Sequence, residues 1–250
     1  MRTLWTVLLA LYLLPAQAEV LKFAFAANEP PISTQAGGVA SGLIPELAEL
    51  VVRLTPELQY QGTVLPWARA QYDVERGKLD ALLTYPSDSR KAYALFTATP
   101  AYHLDFGYLI FHKDHPKRAQ LEAAKSFADL ESFIFVAQQG AEFEEQNVPA
   151  SINRLYANQL DGVMHLLLKR RDGDFAIMQP EQAVYLAKGF GYAHDLAMQP
   201  VDFIPDAKIP FHVGIRRSHP QAAVLIERIE QTLHSQAFQR EREALLQRYR

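Results

Sequence analysis

VLKFAFAANEPPISTQAGGVASGLIPELAELVVRL, residues 20–54, decides the fold. Residues 20–27 alternate and then run apolar, the pattern of a strand buried on both faces. Asn28-Glu29-Pro30-Pro31 ends that strand, because two prolines cannot continue a sheet ladder. The glycines of TQAGGVASG read as a loop or hairpin. From Leu43 to Leu54 apolar residues return at helical spacing, and Pro45 is tolerable there because it falls in the first turn. Working outward, a strand is expected near 58–64, then an amphipathic helix from Trp67 to Arg76 ending at Gly77, then a strand at 81–84. This βαβαβ order implies parallel strands in a sheet covered by helices.

A second unit of the same kind follows. Phe127-Ala128-Asp129-Leu130 opens it, 133–137 reads as a strand, and Gln139-Gly140 reads as a turn into a helix from about Ala141. A strand near 153–156, a helix over 159–169, the polar turn KRRDGD, a strand over 175–178 and a helix from Pro180 complete it. The tail from His219 to Tyr249 is strongly helical. No low-complexity linker separates the units; strand-like segments at 104–111 and 208–215 join them instead. If the tail packs back on the first unit, the chain crosses twice, which makes a hinge that opens and closes. The expected organisation is therefore 19–106 with 212–250 as one lobe and 107–211 as the other. The turns after Ala27, Thr84, Ala137 and Met178, at the carboxyl ends of the strands, would then face one cleft.

Residues 1–18, MRTLWTVLLALYLLPAQA, have the form of a secretory leader: Arg2, an apolar run from Leu4 to Leu14, Pro15, and small residues at 16 and 18. The run is shorter than the roughly 20 residues a membrane-spanning helix needs. The chain has no cysteine, so disulfides, thiolate chemistry, thiolate metal sites and a lipidated N-terminal Cys are excluded. A free periplasmic or secreted product is expected. Its hydrophobic content of 49% and charged content of 21% are those of a globular protein, and a net charge of −3 without a basic stripe makes a poor nucleic-acid binder.

Several stretches together resemble the periplasmic solute-binding proteins of the polar amino acid ABC transporter family (family 3), which have the type II periplasmic-binding fold. They are SGLIPELAELVVRL after the first strand and loop, the turn Gly77-Lys78-Leu79-Asp80-Ala81, and TYPSDSRKAYALFTATPAY. FADL followed by VAQQGAEFE, the turn RRDGDFAIM, and the closing Gln247-Arg248-Tyr249 complete the set. The resemblance covers essentially the whole chain after residue 18. It implies an α/β protein of two lobes, each a mainly parallel sheet flanked by helices, joined by two hinge strands. It also implies capture of a small polar solute, a transient ABC transporter permease partner, no cofactor and a monomer.

The resemblance singles out Arg90, six residues before Phe96, as the group that forks onto a ligand carboxylate. A rigid guanidinium offers two parallel donors matched to that anion. Ser and Asp of the preceding PSDS are natural helix caps. Trp67 follows a strand and is expected either as an aromatic wall of the cleft, with Arg69 nearby, or as packing. Tyr85, Asn28 and Glu29 stand at strand ends that should face the cleft; Asn28 occupies a place where amino acid binders carry an aromatic platform. In the second lobe Gln139, Gly140 and Glu142 stand where the family binds carboxylate with Gly and Ser or Thr. Glu142 would either meet a cationic group or favour its own helix N-terminus. Gln179 replaces the Asp that grips the ligand's ammonium. These departures leave a carboxylate or other polar ligand but not a standard amino acid clamp.

Other signals are plainer. His112 and His115 flank Asp114 in HKDH, which reads as solvated turn polarity rather than a metal site, and His165 reads as a packing residue. No Ser-His-Asp order, H-E-x-x-H or P-loop appears, so no catalytic residue is expected. The same scaffold also admits two other uses. One is an exported enzyme of the cyclohexadienyl dehydratase kind, with Glu29 or Glu142 as general acid. The other is a ligand sensor for a membrane kinase.

Overall fold

The computed structural model describes residues 18–27 and 29–250; the expected leader and Asn28 lie outside the described residues, apart from Ala18. The first lobe begins with β1 (Glu19–Ala26), the hairpin β2 (Thr34–Ala36) and β3 (Val39–Ser41), α1 (Leu43–Leu54), β4 (Leu58–Leu65), α2 (Trp67–Glu75) and β5 (Ala81–Thr84). Then come α3 (Asp88–Tyr93), β6 (Ala94–Phe96) and β7 (Tyr102–Asp105). The second lobe holds β8 (Tyr108–His112), α4 (Arg118–Ala123), a 3-10 turn at Phe127–Leu130, β9 (Ile134–Gln138), α5 (Glu142–Asn147) and β10 (Asn153–Ala157). Helix α6 (Leu160–Met164) continues as a π-helix (His165–Arg170) and leads to β11 (Ala176–Ile177), α7 (Pro180–Gly189) and β12 (Leu196–Pro200). The chain returns through β13 (Lys208–Arg216) and ends in α8 (Ala222–His234) and α9 (Gln236–Gln247).

The first sheet has the order β4-β1-β5-β13-β6, with β7 also paired to β13. Strands β4, β1 and β5 are parallel, and β13 is antiparallel to its neighbours. The second lobe repeats the plan. Strand β10 pairs in parallel with β9, a parallel bridge between Phe135 and Phe175 links β9 to the approach of β11, and β8 runs antiparallel between β11 and β12. Each sheet therefore takes its antiparallel strand from a segment that has just arrived from the other lobe. The two crossings are tied together: the Phe106 N–H donates to the Ala207 carbonyl (2.8 Å) and the Val201 N–H to that of Gly107 (2.8 Å).

Burial explains the elements. On β1, Leu21, Phe23 and Phe25 face α1 and the C-terminal helices, where Leu43, Leu47, Val51, Leu225, Ile229 and Phe238 close a single core. The tail thus does pack on the first lobe. The second lobe has two cores, one around Phe133, Phe135 and Phe175 and one around Val163, Met164 and Leu167. Each fully buried Leu or Phe contributes roughly 1.5–3 kcal/mol of transfer free energy. Gly42 starts α1 with φ 110°, and a Cβ there would stand 2.7 Å from the Pro31 carbonyl oxygen. That approach lets the Leu43 and Ile44 N–H groups donate to the carbonyls of Pro31 and Ile32 (3.0 and 2.9 Å). The loop after β1 so satisfies donors that a helix start otherwise leaves open.

Three segments differ from the sequence pattern. The apolar run 104–111 is two strands, because the Asp105 carboxylate accepts the Gly107 N–H (2.8 Å) and turns the chain. The helical tail breaks at Ser235, whose backbone is extended and whose side chain accepts the Phe238 N–H (3.1 Å). The helix expected over 159–169 is π-helical in its second half.

Candidate functional site

A cavity of about 230 Å³ opens at the carboxyl ends of β1 and β5, against the start of α2. Small-molecule sites usually enclose roughly 300–1,000 Å³, and this cavity is lined by first-lobe residues and by Phe211 of the returning strand β13. Its deep walls are apolar: Phe25 and Leu83 from the strands, Ile44 from α1, and Ile32 from the loop after β1. Its polar groups are Glu29, Ser33, Thr84, Tyr85 and Arg90.

Arg90 is held by neutral partners. It lies in the first turn of α3, where its backbone N–H donates to the Ser87 side chain (3.4 Å). Its Nε donates to Gln71 Oε1 (2.9 Å) and its Nη1 to the Tyr85 carbonyl (2.8 Å). The guanidinium carbon sits 5.1 Å from the centre of the Trp67 ring. Among the described residues no carboxylate pairs with it, and burial pulls its pKa below the ordinary arginine value, opposed in part by Tyr93. Arginine stays protonated in proteins even so. The result is an aimed cation without a counter-ion, set beside an aromatic face that tolerates it.

Trp67 both lines the cavity and packs beside the small core of Ala24, Ala70, Val74 and Leu82. Tyr85 is 47% exposed at the rim. Glu29 also stands at the rim, on a loop closed by mutual N–H to carbonyl bonds with Ser33 (both 2.8 Å). Partial burial pushes its carboxyl above the ordinary value of 4.5. Arg69 is turned elsewhere and pairs with Asp73 (2.9 Å) on the same helix.

The second-lobe candidates do not line this cavity. Gln139 and Gly140 are exposed in the turn before α5, with Gly140 at φ 76°. Glu142 begins α5, and its side chain is outside what the structure describes. Gln179 precedes α7 and is 6% exposed, with its Oε1 buried and unpartnered among the described residues. Among the cavity residues that sequence reasoning did not single out are Ile32, Ser33 and Phe211. Gln71, which holds Arg90 from α2, was also missed; it carried one signal, its i, i+4 spacing from Trp67, which puts both on one face of the helix. Ile32, Ser33 and Phe211 lacked any, since their place depends on the loop after β1 and on the returning chain.

The histidines of HKDH are more buried than their turn suggests. His112 is 2% exposed and its Nδ1 accepts the Asp114 N–H (3.0 Å); His115 Nε2 lies 2.8 Å from Asp174 Oδ1. His165 packs against Phe190 and bonds the Tyr192 hydroxyl through Nδ1 (2.7 Å). Among the described residues no three His, Cys, Asp or Glu groups converge as metal ligands, and no helix is long and apolar enough to cross a membrane.

No protein-family model matches the sequence, and no curated protein is detectably similar to it. Solved structures are similar over nearly the whole chain. An ancestral cationic amino acid solute-binding protein is 18% identical with a TM-score of 0.69, covering 94% of this chain and 96% of its own. The second substrate-binding domain of Lactococcus lactis GlnP, in an open conformation, is 17% identical with a TM-score of 0.69, covering 92% and 95%. An amino acid ABC transporter substrate-binding protein of Streptococcus pneumoniae bound to L-arginine is 20% identical with a TM-score of 0.55, covering 92% and 94%. At these identities the likeness establishes the fold: a two-lobed α/β protein of the type II periplasmic-binding kind.

Proposed function

We propose that this chain, built on the type II periplasmic-binding fold, is an exported solute-binding protein. It captures a small carboxylate-bearing ligand between its lobes and presents it to the permease of an ABC-type importer. It acts as a monomer without a cofactor, with 19–106 and 212–250 as one lobe and 107–211 as the other. The observation that carries the reading is Arg90: a preoriented guanidinium with only neutral partners, lining a concave site at strand carboxyl ends. The greater likeness to an open relative than to an arginine-bound one supports taking this structure as the open form. The incomplete cavity agrees, because the second-lobe turn at Gln139-Gly140 and Gln179 would complete it on closure.

The test begins with native mass spectrometry of protein purified from periplasm, which identifies a co-purifying solute. Calorimetry with that solute should then show Arg90→Ala weakening binding by about 1.5–3 kcal/mol, the range for a hydrogen bond to a charged group. Unchanged affinity removes Arg90 from the site. One observation favours the enzyme alternative: the raised pKa of Glu29 at the cavity rim suits a general acid. Incubation with prephenate decides it, since turnover would replace the binding-protein reading.

A further inference from the structure

We infer that the ligand is a carboxylic acid with an apolar body, an inference that rests on the solute-binding reading above and names its ligand class. Two charged groups line the cavity, Arg90 and Glu29, and neither has an ion-pair partner among the described residues. Most of the remaining wall is hydrocarbon, from Phe25, Ile32, Ile44, Leu83 and Phe211.

The Ser33 hydroxyl beside those walls is already engaged, donating to the Ala26 carbonyl (2.6 Å). A hydroxyl or amine placed against Phe25, Ile44 or Leu83 would lose its water without gaining a side-chain partner there, which is unfavourable. An aliphatic or aromatic body placed there gains, with each buried methylene worth about fourfold in affinity.

A ligand seated on Arg90 lays its body on Ile32, Ile44 and Phe211 with or without an ammonium for Glu29 to meet.

Calorimetry on the purified protein tests this with five probes: 3-phenylpropanoate, propanoate, succinate, L-phenylalanine and L-glutamate. 3-Phenylpropanoate or L-phenylalanine should bind at least tenfold more tightly than propanoate, succinate or L-glutamate. Ile32→Ala and the milder Phe211→Leu should each weaken the tighter of these two aromatic acids by about fourfold or more, with far-UV circular dichroism confirming that each variant is folded. Tightest binding of succinate or L-glutamate overturns the ligand class, and if that binding is lost in Arg90→Ala the solute-binding reading still stands. Failure of both aromatic acids to bind, or indifference to both wall variants, overturns the inference outright.

Discussion

Arg250→Ala should destabilise the protein by about 2–3 kcal/mol. Glu181, second residue of α7 in the second lobe, is fully buried, and its Oε1 accepts from Arg250 Nε at 2.9 Å. Its Oε2 has no hydrogen-bond partner among the described residues. The Tyr102 hydroxyl stands close enough that burial, and then the Glu181 charge, hold its pKa well above the ordinary tyrosine value. Removing the guanidinium leaves a buried carboxylate without a cation, a change that costs roughly 3–5 kcal/mol when both groups are enclosed. The Arg250 side chain is 34% exposed, so water reaches the vacated place and recovers part of that cost. The opposite variant is milder. In Glu181→Gln the arginine can swing into solvent, and the loss is about 1 kcal/mol, that of one hydrogen bond. The double variant should resemble Glu181→Gln alone, giving a coupling of about 2–3 kcal/mol. Urea unfolding followed by circular dichroism and by tryptophan fluorescence measures all three. The reasoning fails if Arg250→Ala costs less than about 0.5 kcal/mol, or if Glu181→Gln costs more than Arg250→Ala.

Gly42→Ala should cost about 2 kcal/mol or more, since it combines a left-handed φ with a Cβ 2.7 Å from a carbonyl oxygen; a melting temperature equal to the parent's would contradict the cap geometry at α1. Ser235→Ala removes the acceptor that starts α9 and should cost about 1 kcal/mol in urea unfolding, whereas Ser235→Asp should cost little. Glu230 has its carboxyl held below the ordinary 4.5: burial raises it, but hydrogen bonds from the side chain and N–H of Thr99 and from the Ala98 N–H, with the His234 charge, prevail. A depressed folded-state pKa contributes stability that is present above about pH 4.5 and lost as pH falls through the folded value. Glu230→Gln should therefore be less stable than the parent at pH 7 and lose less between pH 5 and 3; parallel stability curves would refute the assignment.

How much of this was legible depended on how local the cause was. Helix α1 matches the sequence pattern because its apolar spacing reflects one buried face, and strand β5 because all four of its residues are buried in a short apolar run. Ser87 as the cap before Arg90 was legible for the same reason, since capping acts over three residues. The break at Ser235 left the apolar period almost intact on both sides, so periodicity alone read one continuous tail. Asp105 turning the chain at Gly107 is likewise a side-chain event inside an apolar run. In the cavity, Arg90, Trp67, Tyr85 and Glu29 could be placed at strand ends from order alone. Phe211 could not, because its position follows from β13 returning antiparallel beside β5. The burial of His112 was hidden for a similar reason: it ends β8, the strand inserted between β11 and β12.

The placement of charge bears on how closure would work under the proposed function. A ligand drives closure only through contacts that are better in the closed state. Arg90 already has its final partners in this structure, with Gln71, the Tyr85 carbonyl and Trp67 fixing three sides of the guanidinium. Its bond to a carboxylate can thus form in the open lobe, and a contact equal in both states shifts no population. The closing force must come from the second lobe, where Gln139 and Gly140 offer hydrogen bonds, and from covering the ligand's exposed surface. A ligand with little apolar surface would bind the first lobe and close the protein weakly. An apolar body would leave part of its surface in water until the lobes meet, so its burial is gained only on closure. The ligand class inferred from the walls is therefore also the class best able to turn binding into the closed form.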